Sequence, residues 1–402
     1  MKTFSKSFTQ QEPIPEAAIE RAVAVLRTGR LHRYNIAAGE TAPAARLEQA
    51  FAAYMGARHC LACASGGYAM HIALRAAGLR PGEAVLTNAF SLAPVPGAID
   101  NAGGIPILVE TSAELVIDLD DLEAKLARHR PRFLLLSHMR GHIADMDALC
   151  ALLQRHGTRL IEDCAHTMGA LWNGRKSGSF GLAACFSTQT YKHLNSGEGG
   201  LLVSDDAGFM ARAILHSGSY MLWERHGALP PAQAFELAQE QTPNYSGRMD
   251  NLRAAILPPQ LRRLDENCRR WNQRYQAIAE RLGAIAGIRL PRRDPREQYV
   301  GSSIQFFLDR RAPSEIEAFL AACSRRGIDI KWFGAARASG YTSRYSHWGY
   351  LPPQRLERTD AILHGLCDMR IPLTFSLDDC EQIGNGIADA FADACGGMEA
   401  VA

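Results

Sequence analysis

The sequence predicts an α/β fold in which a mostly parallel sheet is covered by helices on both faces. Between residues 41 and 218, short β-rich runs alternate with segments whose apolar residues recur at helical spacing, as in parallel strands joined by crossover helices. The β-rich runs are residues 84–90, 105–110, 132–138, 159–166, 184–190 and 199–206. The carboxyl ends of parallel strands meet at one edge of a sheet, so we expect functional side chains to gather there.

The chain divides into two predicted domains. Helical periodicity is clearest at residues 119–130 and 146–157, whereas residues 227–247 are rich in turn formers and predict a long excursion outside the core. A helix-rich stretch follows this excursion and leads into a C-terminal region. We therefore predict a large α/β domain over residues 1–256, including an N-terminal arm, and a smaller C-terminal α+β domain over residues 257–402.

Composition excludes several classes of protein. The 402 residues are 47% apolar and 21% charged, which is typical of a folded protein rather than a disordered or fibrous one. The 44 basic and 42 acidic residues leave a net charge of +2, which gives no electrostatic reason to bind nucleic acid or an anionic membrane. No stretch has the length of a signal peptide or a membrane span, and we expect a cytoplasmic protein.

The ten cysteines are too dilute for a disulfide scaffold and predict reduced, buried thiols. Cys60 and Cys63 form a single CxxC pair, and no second pair completes a zinc site, so packing is the better interpretation.

Two segments resemble known motifs but lack features that those motifs require. Residues 169–177 place two glycines at phosphate-loop spacing, but Arg175 stands where that loop requires lysine, which favours a polar hairpin turn. Residues 138–147 contain two histidines and two aspartates, but they follow a strand and include a glycine. This favours a loop that leads into a helix capped by Asp145. We predict no metal site.

Three separated features point to one kind of chemistry. The first is Ser65, Gly66 and Gly67, which directly precede an apolar-periodic helix. Backbone N–H groups at a helix start can hold a phosphate, and glycine lets the phosphate approach closely. An ordinary helix cap explains this feature equally well when it is taken alone.

The other two features are an acid and a lysine. A β-rich run ends in Glu162 and Asp163, and a buried carboxylate there requires a cation or a hydrogen-bond donor. Lys192 lies in a short connection between two strands, where burial can lower its pKa and make it a Schiff-base nucleophile. Phosphate cradle, carboxylate and lysine together match the needs of pyridoxal 5′-phosphate (PLP), which requires a partner for its aldehyde, phosphate and pyridinium nitrogen.

The sequence resembles the DegT/DnrJ/EryC1/StrS family of sugar aminotransferases over about residues 20–385. The resemblance is carried by SGGYAMHIAL, IPILVE, HMRGHIADMDAL, HGTRLIEDCAHTMGA, GSFGLAACFSTQTYKHLNSGEGGLLVSDD and GRMDNLRAA. It implies the aspartate-aminotransferase-like PLP fold, which is fold type I. It also implies that Lys192 forms the internal aldimine and then moves a proton, and that Asp163 pairs with the pyridine nitrogen.

The resemblance extends to further cofactor contacts. It places His166 near the cofactor ring, gives Ser187 the role of a phosphate-binding hydroxyl, and makes Ser65, Gly66 and Gly67 the phosphate loop. It also implies a homodimer with a shared active site, and residues 227–247 are the candidate segment that crosses to the partner.

Several positions depart from the family pattern. Gly67 stands where a threonine hydroxyl is usual. Leu92 occupies the place of an aromatic residue that stacks on the cofactor ring, and Phe90 is the nearby residue that could substitute. The family commonly has an asparagine two places before the arginine of GRMDN, but this chain has Ser246 there, with Asn244 two residues earlier. Asn244 and Ser246 are therefore both candidates for a contact to the partner subunit's phosphate.

The resulting hypothesis is a PLP-dependent aminotransferase that moves an amino group from glutamate or glutamine to a keto-sugar, a cyclitol ketone or a similar polyhydroxylated carbonyl. Lys192 favours transamination, because dehydrating relatives have histidine there. GEGG after the lysine and residues 368–380 resemble the subset of the family that acts on cyclitol ketones or on sugars without a nucleotide more than the nucleotide-sugar subset. Alternatives are another PLP reaction, such as amino-acid decarboxylation or racemisation, and a catalytically silent regulatory protein. The aromatic and basic stretch 331–351 fits domain packing and the substrate entrance equally well.

Overall fold

The computed structural model describes residues 3–219, 222–236 and 238–395. Its helices, in chain order, are α1 (Glu16–Thr28), α2 (Pro43–Met55), α3 (Gly66–Ala76), α4 (Pro94–Asn101), α5 (Leu119–His129), α6 (Met146–His156), α7 (Ala207–His216), α8 (Gln233–Glu236), α9 (Asn251–Ala255), α10 (Leu257–Leu261), α11 (Leu264–Gly283), α12 (Pro313–Arg325), α13 (Glu357–His364) and α14 (Leu377–Cys395). Its strands are β1 (His59–Cys63), β2 (Ala84–Asn88), β3 (Ile105–Val109), β4 (Phe133–Ser137), β5 (Arg159–Asp163), β6 (Leu171–Trp172), β7 (Arg175–Lys176), β8 (Ala183–Ser187), β9 (Gly200–Ser204), β10 (Ile288–Arg289), β11 (Glu297–Gln298), β12 (Ser303–Leu308), β13 (Lys331–Trp332) and β14 (Leu366–Arg370).

A seven-stranded sheet in the order β1-β9-β8-β5-β4-β2-β3 forms the centre of the molecule. β3, β2, β4, β5 and β8 are mutually parallel, whereas β9 is antiparallel to both β8 and β1. The mostly parallel sheet is therefore confirmed, and each of the six predicted β-rich runs overlaps one of its strands. β1 is the strand that the sequence pattern does not reveal, because its CxxC pair indicates only packing.

Helices cover both faces of this sheet, as predicted. One apolar cluster packs side chains of α2, α5, α6 and α11 on one face, and a second packs α3, α4 and α7 on the other. Strands buried on both faces explain why β4, β8 and β9 are apolar runs rather than alternating ones.

A second sheet, in the order β10-β12-β14-β13, packs against α12 and α14 in the C-terminal part of the chain. The N-terminal arm joins this part, since Phe4 and Phe8 make edge-to-face contacts with Phe375. The domain boundary at residues 256 and 257 stays a prediction.

Shorter features also match their patterns. Residues 169–177 form the predicted hairpin, in which β6 and β7 pair across Asn173 and Gly174. The excursion at 227–247 contains only the single-turn helix α8 among its described residues. All ten cysteines are unpaired, and nine are buried while Cys150 is partly exposed. Among the described residues, no helix combines the length and apolar character needed to cross a bilayer.

Candidate active site

Polar side chains end four neighbouring strands at one edge of the central sheet. They are Asn88 on β2, Ser137 on β4, Asp163 on β5 and Ser187 on β8. Ser137 and Asp163 are in direct register, and so are Asp163 and Cys185. The parallel sheet therefore brings residues that are far apart in sequence into one row.

Asp163 is held in a fixed orientation at the centre of this row. Its carboxylate accepts a hydrogen bond from Ser137 Oγ at 2.7 Å and one from the Ala165 N–H at 3.1 Å. Asn88 fixes Ser137 in turn, because its side chain bonds the Ser137 N–H at 2.8 Å and the Ser137 carbonyl at 3.0 Å. Asp163 is only 6% exposed, so these donors stabilise a carboxylate that has lost most of its hydration.

Glu162, the neighbouring acid, serves the other face of the sheet. Its carboxylate accepts the backbone N–H groups of Gly178, Phe180 and Gly181, at 2.8 to 3.0 Å. Both acids thus have the donors that their burial requires, but only Asp163 faces the edge where the other polar groups gather.

Lys192 reaches the same edge from the loop between β8 and β9. The loop is anchored on both sides of the lysine, since the Lys192 N–H bonds Gln189 O at 2.8 Å and the His193 ring bonds Ser302 Oγ at 3.0 Å. Burial, together with the positive charge of Arg140, lowers the pKa of the Lys192 amine from 10.5 to about 7, although Asp163 opposes this. A substantial fraction of the amine is consequently neutral and nucleophilic near neutral pH.

His166 is the immediate partner of this amine. Its Nε2 lies 2.7 Å from Lys192 Nζ, and its Nδ1 accepts the Arg140 backbone N–H at 3.3 Å. Burial and the nearby Lys192 hold the pKa of the imidazole well below its usual value, so the ring is neutral. Since Nδ1 accepts, the ring proton is on Nε2, and it is donated to the lysine nitrogen when the amine is neutral.

A phosphate-sized cradle lies at the start of α3. Ser65 caps this helix by accepting the Tyr68 N–H at 3.0 Å, and the first-turn N–H groups at Gly66 and Gly67 have no partner within the helix. A Cβ at Gly66 would lie 2.9 Å from Ser187 Cβ, so only glycine lets the helix start approach Ser187 this closely. Within the described chain, no acceptor takes the hydroxyl proton of Ser187, which receives the Gln189 N–H.

These groups line a cavity of about 420 Å³, a size usual for small-molecule sites. Among its lining residues are Ser65, Gly66, Gly67, Met70, Leu92, Val95, Ser137, Arg140, Asp163, His166, Ser187, Gln189, Tyr191, Lys192, Glu198, Tyr341 and Arg370. The wall around Leu92 is aliphatic, with Met70 and Val95. Phe90 does not contribute to it, because its buried ring packs edge-to-face on Phe333 at 5.1 Å.

The cavity lining also includes cationic and aromatic side chains that the sequence motifs do not identify. Arg140 bonds Asp368 at 2.8 Å and lies over the Tyr341 ring at 4.2 Å. Arg370 lies over both Tyr191 and Tyr341, at 4.1 and 4.8 Å. Arg370 ends β14, but the partners of β14 are antiparallel to it, so the rule that parallel strands share a carboxyl edge does not lead to Arg370.

The stretch 331–351 contributes to both packing and the cavity. Trp332 is buried in the C-terminal core, and Tyr345 and Trp348 pack with Ala89 and Leu108 of the central sheet. Tyr341 lines the cavity and donates a 2.6 Å hydrogen bond to Asp368. The two interpretations of this stretch therefore apply to different residues.

Asn244 and Ser246 lie outside the cavity. Asn244 lines an adjoining groove that also includes Ser65 and Gly67, whereas Ser246 is exposed and lines neither space. Of the two, Asn244 is the residue that shares a groove with Ser65 and Gly67 of the cradle.

Residues 138–147 form the predicted loop rather than a metal motif. Asp145 caps α6 by accepting the Ala148 N–H at 3.0 Å, which confirms that prediction. His142 bonds Gln305 at 2.9 Å, and His138 bonds Glu162 at 3.2 Å. Potential ligand atoms of His138, Glu162 and Cys164 do lie within 4.8 Å of one another. The Glu162 oxygens there already accept three backbone N–H groups, which explains the cluster as a buried hydrogen-bond network.

Comparison with known proteins agrees with this architecture. The chain is 32% identical over 58% of its length to a pleiotropic regulatory protein of Geobacillus stearothermophilus, of which 59% is covered. It is 34% identical over 55% of its length to GDP-perosamine synthase of Caulobacter vibrioides, of which 56% is covered. It is 32% identical over 68% of its length to L-glutamine:2-deoxy-scyllo-inosose aminotransferase of Streptomyces fradiae, of which 64% is covered. The chain thus spans about three fifths of the length of these curated relatives.

Two further comparisons, one with a solved structure and one with a family profile, cover nearly the whole chain. The crystal structure of 3-amino-5-hydroxybenzoic acid synthase superimposes with a TM-score of 0.82 at 25% identity, covering 96% of this chain and 99% of that one. This confirms the predicted fold type I architecture. The profile of the DegT/DnrJ/EryC1/StrS aminotransferase family matches residues 15–388, and the chain belongs to that family.

Proposed function

We propose that the protein is a PLP-dependent aminotransferase that moves an amino group from glutamate or glutamine to a keto-sugar, a cyclitol ketone or a similar polyhydroxylated carbonyl. One observation carries the proposal: a lysine amine with a pKa lowered to about 7 faces a cavity that also holds an oriented carboxylate and a phosphate-sized cradle. Each group matches one part of PLP, and the family is one of aminotransferases.

The residues present fit the cofactor. The N–H groups of Gly66 and Gly67, with the hydroxyls of Ser65 and Ser187, would hold the phosphate, and glycine at position 66 lets the helix start and Ser187 lie close enough to share it. Asp163 would hold the pyridinium nitrogen with carboxylate lone pairs that Ser137 and Ala165 leave open. Bound PLP supplies an electron sink that makes the hydrogen on the nitrogen-bearing carbon acidic.

Lys192 then has two tasks that both need a neutral amine. It would hold the cofactor through its aldehyde group, and as a free amine it would take a proton from one carbon and return it to another. The lowered pKa serves both tasks, because an amine titrating near 7 can accept and release a proton at the pH at which it works. His166 supports them by directing an N–H at Nζ, which fixes the position of the amine.

The acceptor class is the finer part of the proposal. Relatives named for GDP-perosamine and for 2-deoxy-scyllo-inosose represent a nucleotide sugar and a cyclitol. The polar side chains of Gln189 and Glu198 line the cavity and suit a polyhydroxylated acceptor. We favour the acceptors without a nucleotide, as the motifs around 368–380 indicate.

The test follows the two half-reactions by absorbance. Protein loaded with PLP should lose its long-wavelength absorption when glutamate or glutamine is added, because the cofactor ends in its amine form. A panel of keto-sugars and cyclitol ketones should then restore the absorption in one or more wells. Release of carbon dioxide or racemised amino acid without the amine form would establish the decarboxylase or racemase alternative. Failure to take up PLP would contradict the proposal as a whole.

We also propose a homodimer with a shared active site. The groove that contains Asn244 opens beside Ser65 and Gly67, so a partner subunit's segment seated in it would lie next to the phosphate. Light scattering should give twice the chain mass, and a fully active monomer would contradict this assembly.

A further inference from the structure

The loop between β4 and α6 contains a strained turn at residues 140–141, beside His166. Arg140 has φ 54° and ψ 23°, and Gly141 has φ 80°, so two consecutive residues lie in the left-handed region. This conformation is unfavourable for a residue with a Cβ, such as arginine, and it persists only where the surrounding structure holds it. Contacts with other parts of the chain must therefore hold the 140–141 turn.

Arg140 makes two contacts at the cavity from this turn. Its backbone N–H lies 3.3 Å from Nδ1 of His166, whose Nε2 lies 2.7 Å from Lys192 Nζ. Its guanidinium bonds Asp368 at 2.8 Å and, after burial, is the main cause of the lowered pKa of the Lys192 amine. An ordinary φ at Arg140 would turn its N–H in another direction, so the contact with His166 depends on the left-handed backbone.

Two side chains from the C-terminal part of the chain hold this turn. Arg293 and Glu297 lie in the connecting segment, residues 290–302, which joins β10 to β12 and contains β11, the strand that pairs with β6. Arg293 Nη1 donates to Gly141 O at 2.9 Å and to the Glu297 carboxylate at 2.7 Å. Glu297 also accepts the Ile143 N–H at 3.3 Å. The pair therefore bonds two backbone groups of the loop, at the turn and just after it.

The pair is itself buried and supported. The side chains of Arg293 and Glu297 are 10% and 3% exposed, and the Arg293 guanidinium lies over the Tyr299 ring at 4.3 Å. Burial raises the pKa of the Glu297 carboxyl, whereas the Arg293 charge opposes this shift. Breaking a buried ion pair is costly, so Arg293 stays in position to hold Gly141.

We propose that Arg293, supported by Glu297, is a positioning residue that keeps the His166 ring directed at Lys192 by holding the 140–141 turn. Neither Arg293 nor Glu297 is among the described residues that line the cavity, so both act through the turn. This role rests on the proposed function, in which Lys192 works as a neutral amine in a fixed position.

The first experiment observes His166 by NMR in PLP-free protein that contains histidine labelled with the heavy nitrogen isotope. The ring signals of His166 are assigned by their loss in His166→Gln. In the parent, Nε2 should carry the proton, and Nδ1 should have the chemical shift of a nitrogen that accepts a hydrogen bond. In Arg293→Met, the Nδ1 signal should move toward the shift of a free imidazole nitrogen, because the Arg140 N–H no longer meets it.

The matched control is Arg296→Met. Arg296 belongs to the same connecting segment, lies over the Trp172 ring at 4.5 Å and bonds Asp145 of the same loop at 2.8 Å, beyond the turn. Arg293→Lys keeps a donor for Gly141 O and should recover part of the parent signal. Arg293→Met combined with Glu297→Gln removes both charges together, so this double variant serves as the test if Arg293→Met alone does not fold.

The second experiment measures how the rate of PLP trapping on Lys192 by borohydride depends on pH. The groups around Lys192 that can carry a charge are Arg140, Asp163, His166, Tyr191, His193, Glu198, Tyr341 and Arg370. Of these, only Arg140 lies on the turn. In Arg293→Met the Arg140 charge is no longer fixed beside the amine, so the midpoint should rise from about 7 by about one pH unit. A loss of stability alone would reduce the amount of folded protein without moving this midpoint.

Movement of the Nδ1 signal and of the trapping midpoint in Arg293→Met or the double variant, with recovery in Arg293→Lys and no change in Arg296→Met, supports the positioning role. A Nδ1 signal that keeps the parent shift overturns it, whatever the midpoint does. An equal change in Arg296→Met also overturns it, because the effect would then belong to the connecting segment in general. The NMR measurement needs neither PLP nor turnover, so it decides the role of Arg293 even if the proposed transamination fails.

Discussion

Two groups of residues that line the cavity differ in chemistry, and they are named the cofactor end and the arginine end. The cofactor end, made of Ser65, Gly66, Gly67 and Ser187, offers backbone N–H groups and hydroxyls and carries no charged side chain. The arginine end, made of Arg140, Arg370, Tyr191 and Tyr341, offers guanidinium groups and aromatic rings. Lys192, His166 and Asp163 line the same cavity. The cofactor end suits one ligand of fixed shape, whereas the arginine end suits ligands that enter and leave.

The difference also concerns how each end is stabilised. The cofactor end is part of the central sheet and the start of α3, so its geometry is set by regular hydrogen bonding. The arginine end depends on a buried carboxylate, Asp368, that joins the large sheet's loop to the C-terminal sheet. Substitutions at the two ends should therefore have separable effects on cofactor affinity and on substrate affinity.

The largest effect is expected at Lys192, which would act on both the cofactor and the substrate. Lys192→Met should abolish covalent retention of PLP and lower transamination roughly 10⁴-fold, because nucleophile and proton carrier are lost together. The folded protein disfavours the charged amine, so the parent loses stability as pH falls from about 10 toward 7. The PLP-free variant should accordingly have a higher Tm than the PLP-free parent at pH 7. An equal or lower Tm would show that the amine is not desolvated.

The next largest effect is expected at Asp368, whose substitution should disturb the arginine end alone. Asp368→Asn leaves the buried Arg140 charge unpaired and weakens the support of Tyr341, which we expect to cost about 3–5 kcal/mol of folding free energy. Urea unfolding of the PLP-free protein measures this cost. Affinity for PLP, measured on the folded variant, should stay within about twofold of the parent. A large drop in PLP affinity would mean that the two ends are not independent.

A smaller effect is expected at the cofactor end. Ser187→Ala removes one hydroxyl donor to the phosphate and should weaken PLP binding about tenfold, the value of one good hydrogen bond to an anion. Equilibrium dialysis gives the affinity, and urea unfolding of the PLP-free variant serves as the control for its fold. Unchanged PLP affinity would remove Ser187 from the proposed phosphate site.

The smallest effect is a gain. A Cβ at Gly67 would meet only ordinary contacts, with Pro94 Cβ at 3.6 Å, so Gly67→Thr fits the helix start and adds the hydroxyl that the family usually has there. We expect PLP affinity to rise about threefold, within the range of one partly solvated hydrogen bond. Gly66→Ala is the contrasting variant, since its Cβ would lie 2.9 Å from Ser187 Cβ and should weaken PLP binding. Weaker binding in Gly67→Thr would contradict the placement of the phosphate.

Sequence reasoning reaches the two ends unequally for a physical reason. The cofactor end consists of short contiguous motifs and strand ends, and the rule that parallel strands share a carboxyl edge is enough to bring Asp163 and Ser187 together. Ser137 ends the neighbouring strand and can be found by the same rule. The arginine end joins residues 140, 191, 341 and 370, whose proximity depends on how the C-terminal sheet packs, and no local pattern encodes that packing.

Two other differences between the predictions and the structure also arise from packing between residues that are far apart in sequence. Phe90 belongs to the right segment to face the cavity, but its ring is buried against Phe333, a partner more than 200 positions away. Sequence continuity assigns the N-terminal arm to the large domain, yet Phe4 and Phe8 contact Phe375 of the C-terminal part. Side-chain direction and long-range packing are the parts that composition and periodicity do not supply.

The most direct test of the central claim is to trap PLP on the protein by borohydride reduction across a pH series and to map the modified peptide by mass spectrometry. The account predicts that the phosphopyridoxyl group is found on Lys192 and that the rate of trapping rises with pH to a half-maximum at about 7, where the amine loses its proton. Modification of a different lysine, or a rate that keeps rising to about pH 10 as for an ordinary lysine, would contradict it.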